Sequence, residues 1–173
     1  PFVRAVLRQH GCGSLLDYGC GKGIQYQGTP MDGASLVDYW GVPITRYDPA
    51  LPEYAAEPTG TYALTLVAHV PGCLPCSDLP AVLARLHRLT NKVIYIAEKI
   101  APTRKTVIDR EGIPENWQPQ DWMDALSATR GRANIILAVR VDEPTGRYMR
   151  HYLLHSSEER WRPLIWNHQG GFS

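Results

Sequence analysis

The residues with the clearest chemical potential are Leu15-Leu16-Asp17-Tyr18-Gly19-Cys20-Gly21-Lys22-Gly23. A short apolar run ends there in an acid and three alternating glycines. Glycines that follow a buried strand let the backbone turn sharply and approach a ligand closely. The chemistry expected is therefore the holding of a nucleoside-type cofactor. Two familiar ligand loops fail at identifiable positions. A dinucleotide fingerprint, Gly-x-Gly-x-x-Gly, has Ile24 where its third glycine belongs, counting from Gly19. A P-loop needs Ser or Thr after Lys22, and Gly23 stands there without the hydroxyl that would bind magnesium.

Two further segments bear on the same site. Arg46-Tyr47-Asp48 ends the next predicted strand, 25 positions after Gly23. In nucleoside-binding α/β folds a carboxylate at that place accepts hydrogen bonds from ribose hydroxyls. Asp48 before Pro49 also suits a simple turn. The segment Tyr62-Ala63-Leu64-Thr65-Leu66-Val67-Ala68-His69-Val70-Pro71 reads as a strand running into a polar corner.

Taken together, these segments resemble the class I S-adenosylmethionine-dependent methyltransferases of the small-molecule type. Asp17, Gly19, Gly21 and Gly23 match that family's first motif position by position. The resemblance implies that Asp17 contacts the methionine end of S-adenosyl-L-methionine, often through water. It implies that the loop of Gly19, Cys20, Gly21 and Gly23 passes beneath that cofactor, which carries no phosphates. Asp48 would take the ribose, and Val67 and Ala68 would border the cofactor at the end of the family's fourth strand. There the family often reads Asp-Val-Leu-Glu-His-Ile-Pro. Thr65 replaces the Asp and Ala68 the Glu, while His69 and Pro71 remain. The resemblance spans roughly Leu15 to His155. It implies a Rossmann-like, mostly parallel sheet of seven strands (six if the third is degenerate), in the order 3-2-1-4-5-7-6. The seventh strand would run antiparallel, with helices on both faces.

Methyl transfer is an in-line displacement at a sulfonium carbon. The enzyme must hold the nucleophile about 3 Å from the methyl and help remove its proton. No metal is needed, and none is expected. Residues just past the carboxyl ends of the parallel strands form the search set: Tyr26, His69, Glu98, Lys99, Asn116 and Trp117. His69 is the preferred general base, because its ordinary pKa lies near working pH; the alternative is a histidine packed behind adenine. Glu98 is the second catalytic candidate, to orient an amine or hydroxyl, or else to pair with Lys99 or Arg104. Tyr26 would close over the methionine portion or serve as a core tyrosine.

Other residue groups are weaker signals. Cys73-Leu74-Pro75-Cys76 lacks a second ligand pair for structural zinc, and its position does not suit a redox motif. His151 and His155, four apart on a predicted strand, are expected to flank a surface. Trp117, Trp122, Trp161 and Trp166 could build an aromatic wall for a flat substrate, or simply pack.

The elements that must position these residues follow from pattern. Helices are predicted over Phe2–Gln9, Gly33–Trp40, Asp78–Leu89 (with Ser77 as N-cap) and Pro119–Ala128. Strands are predicted over Ser14–Tyr18, Pro43–Tyr47, Tyr62–Val67, Lys92–Ala97, Asn134–Val141 and Tyr148–His155. Glu143-Pro144-Thr145-Gly146 should turn the last two into a hairpin. Such alternation argues for an α/β sheet. The stretch from Pro49 to Gly60 reads as loop, Ala101 to Gln118 as a flap, and the tail containing Trp161 and Trp166 shows no clear element.

The 173 residues suit one domain, with 44% apolar and 20% charged residues. A formal net charge of +1 supplies no broad basic field, so stable nucleic-acid binding is not expected; Arg147, Arg150, Arg160 and Arg162 are the sole candidates for a local patch. The uncharged run from residue 58 to 77 is broken by prolines and glycines, so it is not expected to span a membrane. No signal-peptide layout is visible, and four cysteines do not suggest a disulfide framework, so a reducing cytoplasm is the expected setting. The leading expectation is methyl transfer to an oxygen or nitrogen of a small-molecule acceptor (a sugar, nucleotide or metabolite). A catalytically silent cofactor-binding subunit is the rival, motivated by Thr65 and Ala68. A nicotinamide-dependent oxidoreductase ranks below both.

Overall fold

The computed structural model describes residues 1–28, 33–100, 107–108, 112–115, 117–129, 131–143, 146–167 and 170–172. Its elements are α1 (Phe2–Gln9), β1 (Leu15–Tyr18), α2 (Leu36–Trp40), β2 (Ile44–Tyr47), β3 (Tyr62–Ala68), α3 (Leu79–Leu89) and β4 (Thr90–Ile100). They continue with β5 (Val107–Ile108), β6 (Pro114–Glu115), α4 (Pro119–Ser127), β7 (Asn134–Glu143), β8 (Gly146–Leu154) and β9 (Arg162–Leu164). Single 3₁₀ turns occupy Ile24–Tyr26 and Pro71–Cys73.

The chain is an α/β protein with a seven-stranded mixed sheet in the order β2-β1-β3-β4-β7-β8-β9. The first five of these neighbours run parallel, and β8 and β9 add antiparallel. Period-two alternation along the buried strands divides the core into two layers. Leu16, Val67, Ile94, Ile96, Leu137 and Val139 face Leu83 and Leu86 of α3 and Trp122 and Leu126 of α4. Leu15, Leu64, Val93, Tyr95 and Ile136 face Val6 and Leu7 of α1, with Trp40 of α2 at the margin. Helices therefore cover both faces, as expected.

The strand order departs from the expectation in three places. The expected order puts the antiparallel strand between the last two parallel ones, but here β7 pairs directly with β4 and β8 lies outside it. Composition explains the choice: Ile135, Ile136, Leu137, Ala138 and Val139 of β7 are all almost completely buried, which an interior position provides. Next, no strand lies beyond β2 among the described residues, and β2 is an edge with Thr45 and Arg46 exposed. The chain after it folds back at once, where Asp48 N–H donates to Tyr54 O at 3.0 Å. Lastly, β9 comes from the tail in which no element was legible, and it pairs with only three residues of β8.

Local details show how close the pattern came. Helix α1 has the predicted bounds. Helix α2 starts three residues late, because Ser35 accepts the Asp38 N–H and caps it there. Asp78, not Ser77, occupies the N-cap of α3, and Ser77 Oγ instead donates to Asp78 Oδ1. Within the expected flap, β5 and β6 pair as a two-stranded ribbon. The predicted hairpin pairs Glu143 with Gly146, while Pro144 and Thr145 lie outside the described residues.

His151 corrects a further expectation. It does not flank a surface but is 3% exposed, with Nε2 2.9 Å from Tyr95 Oη and rings of Phe2 and Phe172 within 4.7 Å, centroid to centroid. Burial pulls its pKa from 6.5 down to about 4. The ring is thus neutral in the fold and readily protonated once unfolded. Its contribution is complete above pH 6.5 and is lost as pH falls toward 4, an effect worth roughly 3 kcal/mol. Urea titrations across that window should show a His151→Gln variant losing less stability on acidification than the parent. Parallel slopes would disprove the assignment.

Candidate functional site

The glycine loop leaves the carboxyl end of β1 at the point where β1 has β2 on one side and β3 on the other. That is the crevice in which α/β sheets commonly hold ligands. All three motif glycines have left-handed backbone, with φ of 78° at Gly19, 55° at Gly21 and 63° at Gly23. Gly19 and Cys20 N–H both donate to Tyr47 O, at 2.7 and 3.1 Å. Gly21 N–H donates to Asp48 Oδ2 at 2.9 Å, and Asp48 Oδ1 accepts the Ala50 N–H at 3.0 Å. Asp48 thus ties the two loops together.

Asp17 lies beneath this loop at 2% exposure. Its Oδ2 accepts hydrogen bonds from Tyr26 Oη at 2.7 Å and Gln25 Nε2 at 3.1 Å. Burial raises the Asp17 pKa, and the Tyr26 and Gln25 hydrogen bonds oppose that rise. The Tyr26 phenol is pushed up by its own burial and by the Asp17 charge, so it stays a donor. Cys20 sits close to both carboxylates; burial, then Asp17 and Asp48, push its thiol up to about 11, so it is no nucleophile. Arg46 stacks on the Tyr54 and Tyr26 rings at 4.8 and 5.5 Å and donates to Tyr54 Oη. Gln25, Arg46 and Tyr54 were not read from the sequence, where nothing distinguishes them from surface residues.

The second part of the site lies one strand over. His69 follows β3 with φ 59°, the one described non-glycine residue in the left-handed region. Such a conformation costs about 1–2 kcal/mol and clusters at functional sites. It is held by His69 N–H donating to Ala97 O at 2.9 Å. The turn exposes the imidazole while placing Nδ1 3.8 Å from Glu98 Oε2, a carboxylate only 5% exposed. Glu98 Oε1 also accepts the Gly72 N–H at 3.2 Å. Glu98 thus lies behind the imidazole, nearly buried and just beyond hydrogen-bond distance of it. The two parts meet through Val70, whose Cγ2 lies 2.2 Å from where a Cβ on Gly19 would be.

Other proposed members fare differently. Val67 is fully buried in the α3 layer, so its side chain cannot border a ligand in the crevice; Ala68 ends β3 opposite Ala97, half-buried. Lys99 is exposed, and Asn116 and Arg104 lie outside the described residues. Thr65, where the resembling family carries Asp, is a core residue. Thr90 donates to Leu86 O, so Thr65 must donate to Thr90, at 2.7 Å. The tryptophans form no common wall: Trp117, Trp122 and Trp161 pack on the α3–α4 layer and Trp166 on the opposite one. Cys73 and Cys76 are free thiols, and Cys73 Sγ donates to His69 O. Among the described residues no three His, Cys, Asp or Glu side chains gather to hold a metal, and no helix is long and apolar enough to cross a membrane.

No family model, curated protein or solved structure matches the chain. The site must therefore be judged on its own geometry.

The glycines are not equivalent in that geometry. A Cβ on Gly19 would collide with Val70, whereas one on Gly21 would meet nothing within 4 Å. Gly19→Ala should cost upwards of about 2 kcal/mol, from overlap added to strain, and Gly21→Ala only about 1 kcal/mol. Thermal denaturation of the two variants checks this ranking, and equal losses would contradict the close packing of Val70.

Proposed function

We propose that this chain is an S-adenosyl-L-methionine-dependent methyltransferase with a Rossmann-like sheet and a small-molecule acceptor. The observation that carries the reading is how the glycine loop uses its amides. Gly19, Cys20 and Gly21 N–H are all committed to Tyr47 and Asp48, and Gly23 leads into one 3₁₀ turn rather than a helix. A dinucleotide pyrophosphate wants free amides at a helix N-terminus, and this loop has no helix after it and most of its amides engaged. A nucleoside cofactor without phosphates makes no such demand. The space at a Gly21 Cβ is open, Asp48 binds the Gly21 N–H, and Asp17 has an oxygen engaged in no described hydrogen bond. Those features fit the cofactor's cationic methionine end and its ribose.

In this reading Asp17, Gly19, Gly21 and Asp48 hold the cofactor, with Cys20, Gly23 and Ala68 beside it. When bound, the cofactor supplies an electrophilic methyl on a positively charged sulfur. The chain supplies the base. With Nδ1 facing Glu98, His69 Nε2 is turned outward to take a proton from a hydroxyl or amine, and Glu98 offsets the positive charge that the ring gains. Glu98 is a positioning residue here, in place of the direct role that its position at a strand end suggested.

Ala68, and Thr65 committed to the core, favour a second reading in which the chain binds the cofactor without turning it over. Calorimetry with S-adenosylhomocysteine and with NAD, followed by an acceptor screen, separates the cases. The homocysteine product should bind and NAD should not; the reverse would remove the proposal. Asp48→Ala should weaken product binding by at least about tenfold, the loss of a charge-assisted hydrogen bond. His69→Gln should leave binding intact and lower turnover by about 10²-fold or more. Product binding with no methyl transfer to any acceptor would leave the silent-subunit reading standing.

A further inference from the structure

A cavity of about 270 Å³ opens at the amino edge of the sheet, the end opposite the glycine loop. It lies between the end of α1, the start of β7, the end of β8, and β9. Ile136, Leu164 and Phe172 are its apolar lining, and Gln9, His10, Asn134, His155 and Arg162 its polar lining.

That polar lining is rich in donors. Asn134 Oδ1 already accepts the Ser156 N–H at 3.0 Å, which leaves its amide NH₂ to donate. His155 Nδ1 is engaged by Ser157, 2.7 Å from its Oγ and accepting its N–H at 3.3 Å, while Nε2 makes no described hydrogen bond. Arg162 can only donate; among the described residues its acidic partner is Glu158, at 3.5 Å across an exposed surface. The backbone carbonyls of His10 and Gly11, which would repel an anion at the end of α1, are covered by the Lys92 ammonium at 3.2 and 2.7 Å. His10 lies close to these groups: its pKa is lowered by burial first, then by His155 and Lys92. A carboxylate only accepts hydrogen bonds, so it matches the donors that Asn134 and Arg162 present to the cavity.

We propose that this cavity is a binding site for a small organic anion with an apolar body, held by His10, Asn134, His155 and Arg162 over Ile136 and Phe172. The volume corresponds to roughly nine waters at about 30 Å³ each, which suits an aromatic or branched carboxylate rather than a nucleotide. The assignment is independent of the glycine loop and of what that loop binds.

Benzoate is the probe, with benzyl alcohol as its neutral counterpart, titrated into the full chain at low ionic strength. Calorimetry supplies affinity, and amide chemical shifts supply location. Benzoate should bind saturably, shift Phe172 and Leu164, and bind more tightly than the alcohol. Arg162→Gln, an exposed substitution that the fold tolerates, should weaken it about tenfold, and His10→Gln should weaken it too. The proposal is overturned if benzoate fails to saturate, or if the alcohol binds equally well. It is also overturned if Arg162→Gln changes nothing, or if the shifts fall around Gly19 and Asp48 instead.

Discussion

A carboxylate almost removed from water, Asp17 at the end of β1, is the constraint around which the candidate site is arranged. A charge in that place must be matched by donors or it drives its own protonation. Tyr26 and Gln25 provide them, and both come from the chain just after the glycines. The loop therefore has to reverse twice within a few residues, and left-handed glycines make that possible at little strain. The same reversal leaves no room for a helix directly after Gly23. Instead a single 3₁₀ turn delivers Ile24–Tyr26 back toward Asp17.

That turn goes with where the loop's amides are engaged. Amides pointing along a helix axis would gather phosphate oxygens. Here they point instead at Tyr47 and Asp48, which fastens β2 to the loop and makes Asp48 structural as well as available. Val70 then presses on Gly19 from the β3 side and transmits this arrangement to the His69 corner. At that corner the strained His69 backbone stands in front of the buried Glu98. The two halves of the site share one wall, so displacement of the loop would also disturb the imidazole.

The opposite edge of the sheet is built on other principles. There the tail returns as β9, and Trp166 and Phe172 close over Phe2 and His151 to cap the α1 layer. A buried neutral histidine and a cavity walled by donors result from the same closure. Neither had a pattern in the sequence. His10, Asn134, His155 and Arg162 are spread over more than 150 positions, and only β7, β8 and β9 bring them together.

The sequence by itself determined the types and approximate bounds of the elements apart from β5, β6 and β9, the glycine loop, and the place of Asp17, Asp48 and His69 at strand ends. These features are local: hydrophobic period, caps and turn glycines act over a few residues. The order of the last strands was a different matter. A hairpin is equally a hairpin with either strand inward, and only the burial available between β4 and β8 selects β7 for the interior. The roles of single residues depended on tertiary structure in the same way. Thr65 faces Thr90, Val67 the α3 layer, Glu98 the back of His69, and His151 the core, because strand register and sheet neighbours assign each side chain its surroundings. Spacing along the chain fixes which face a residue shares with its neighbours, but what waits on that face comes from segments distant in sequence.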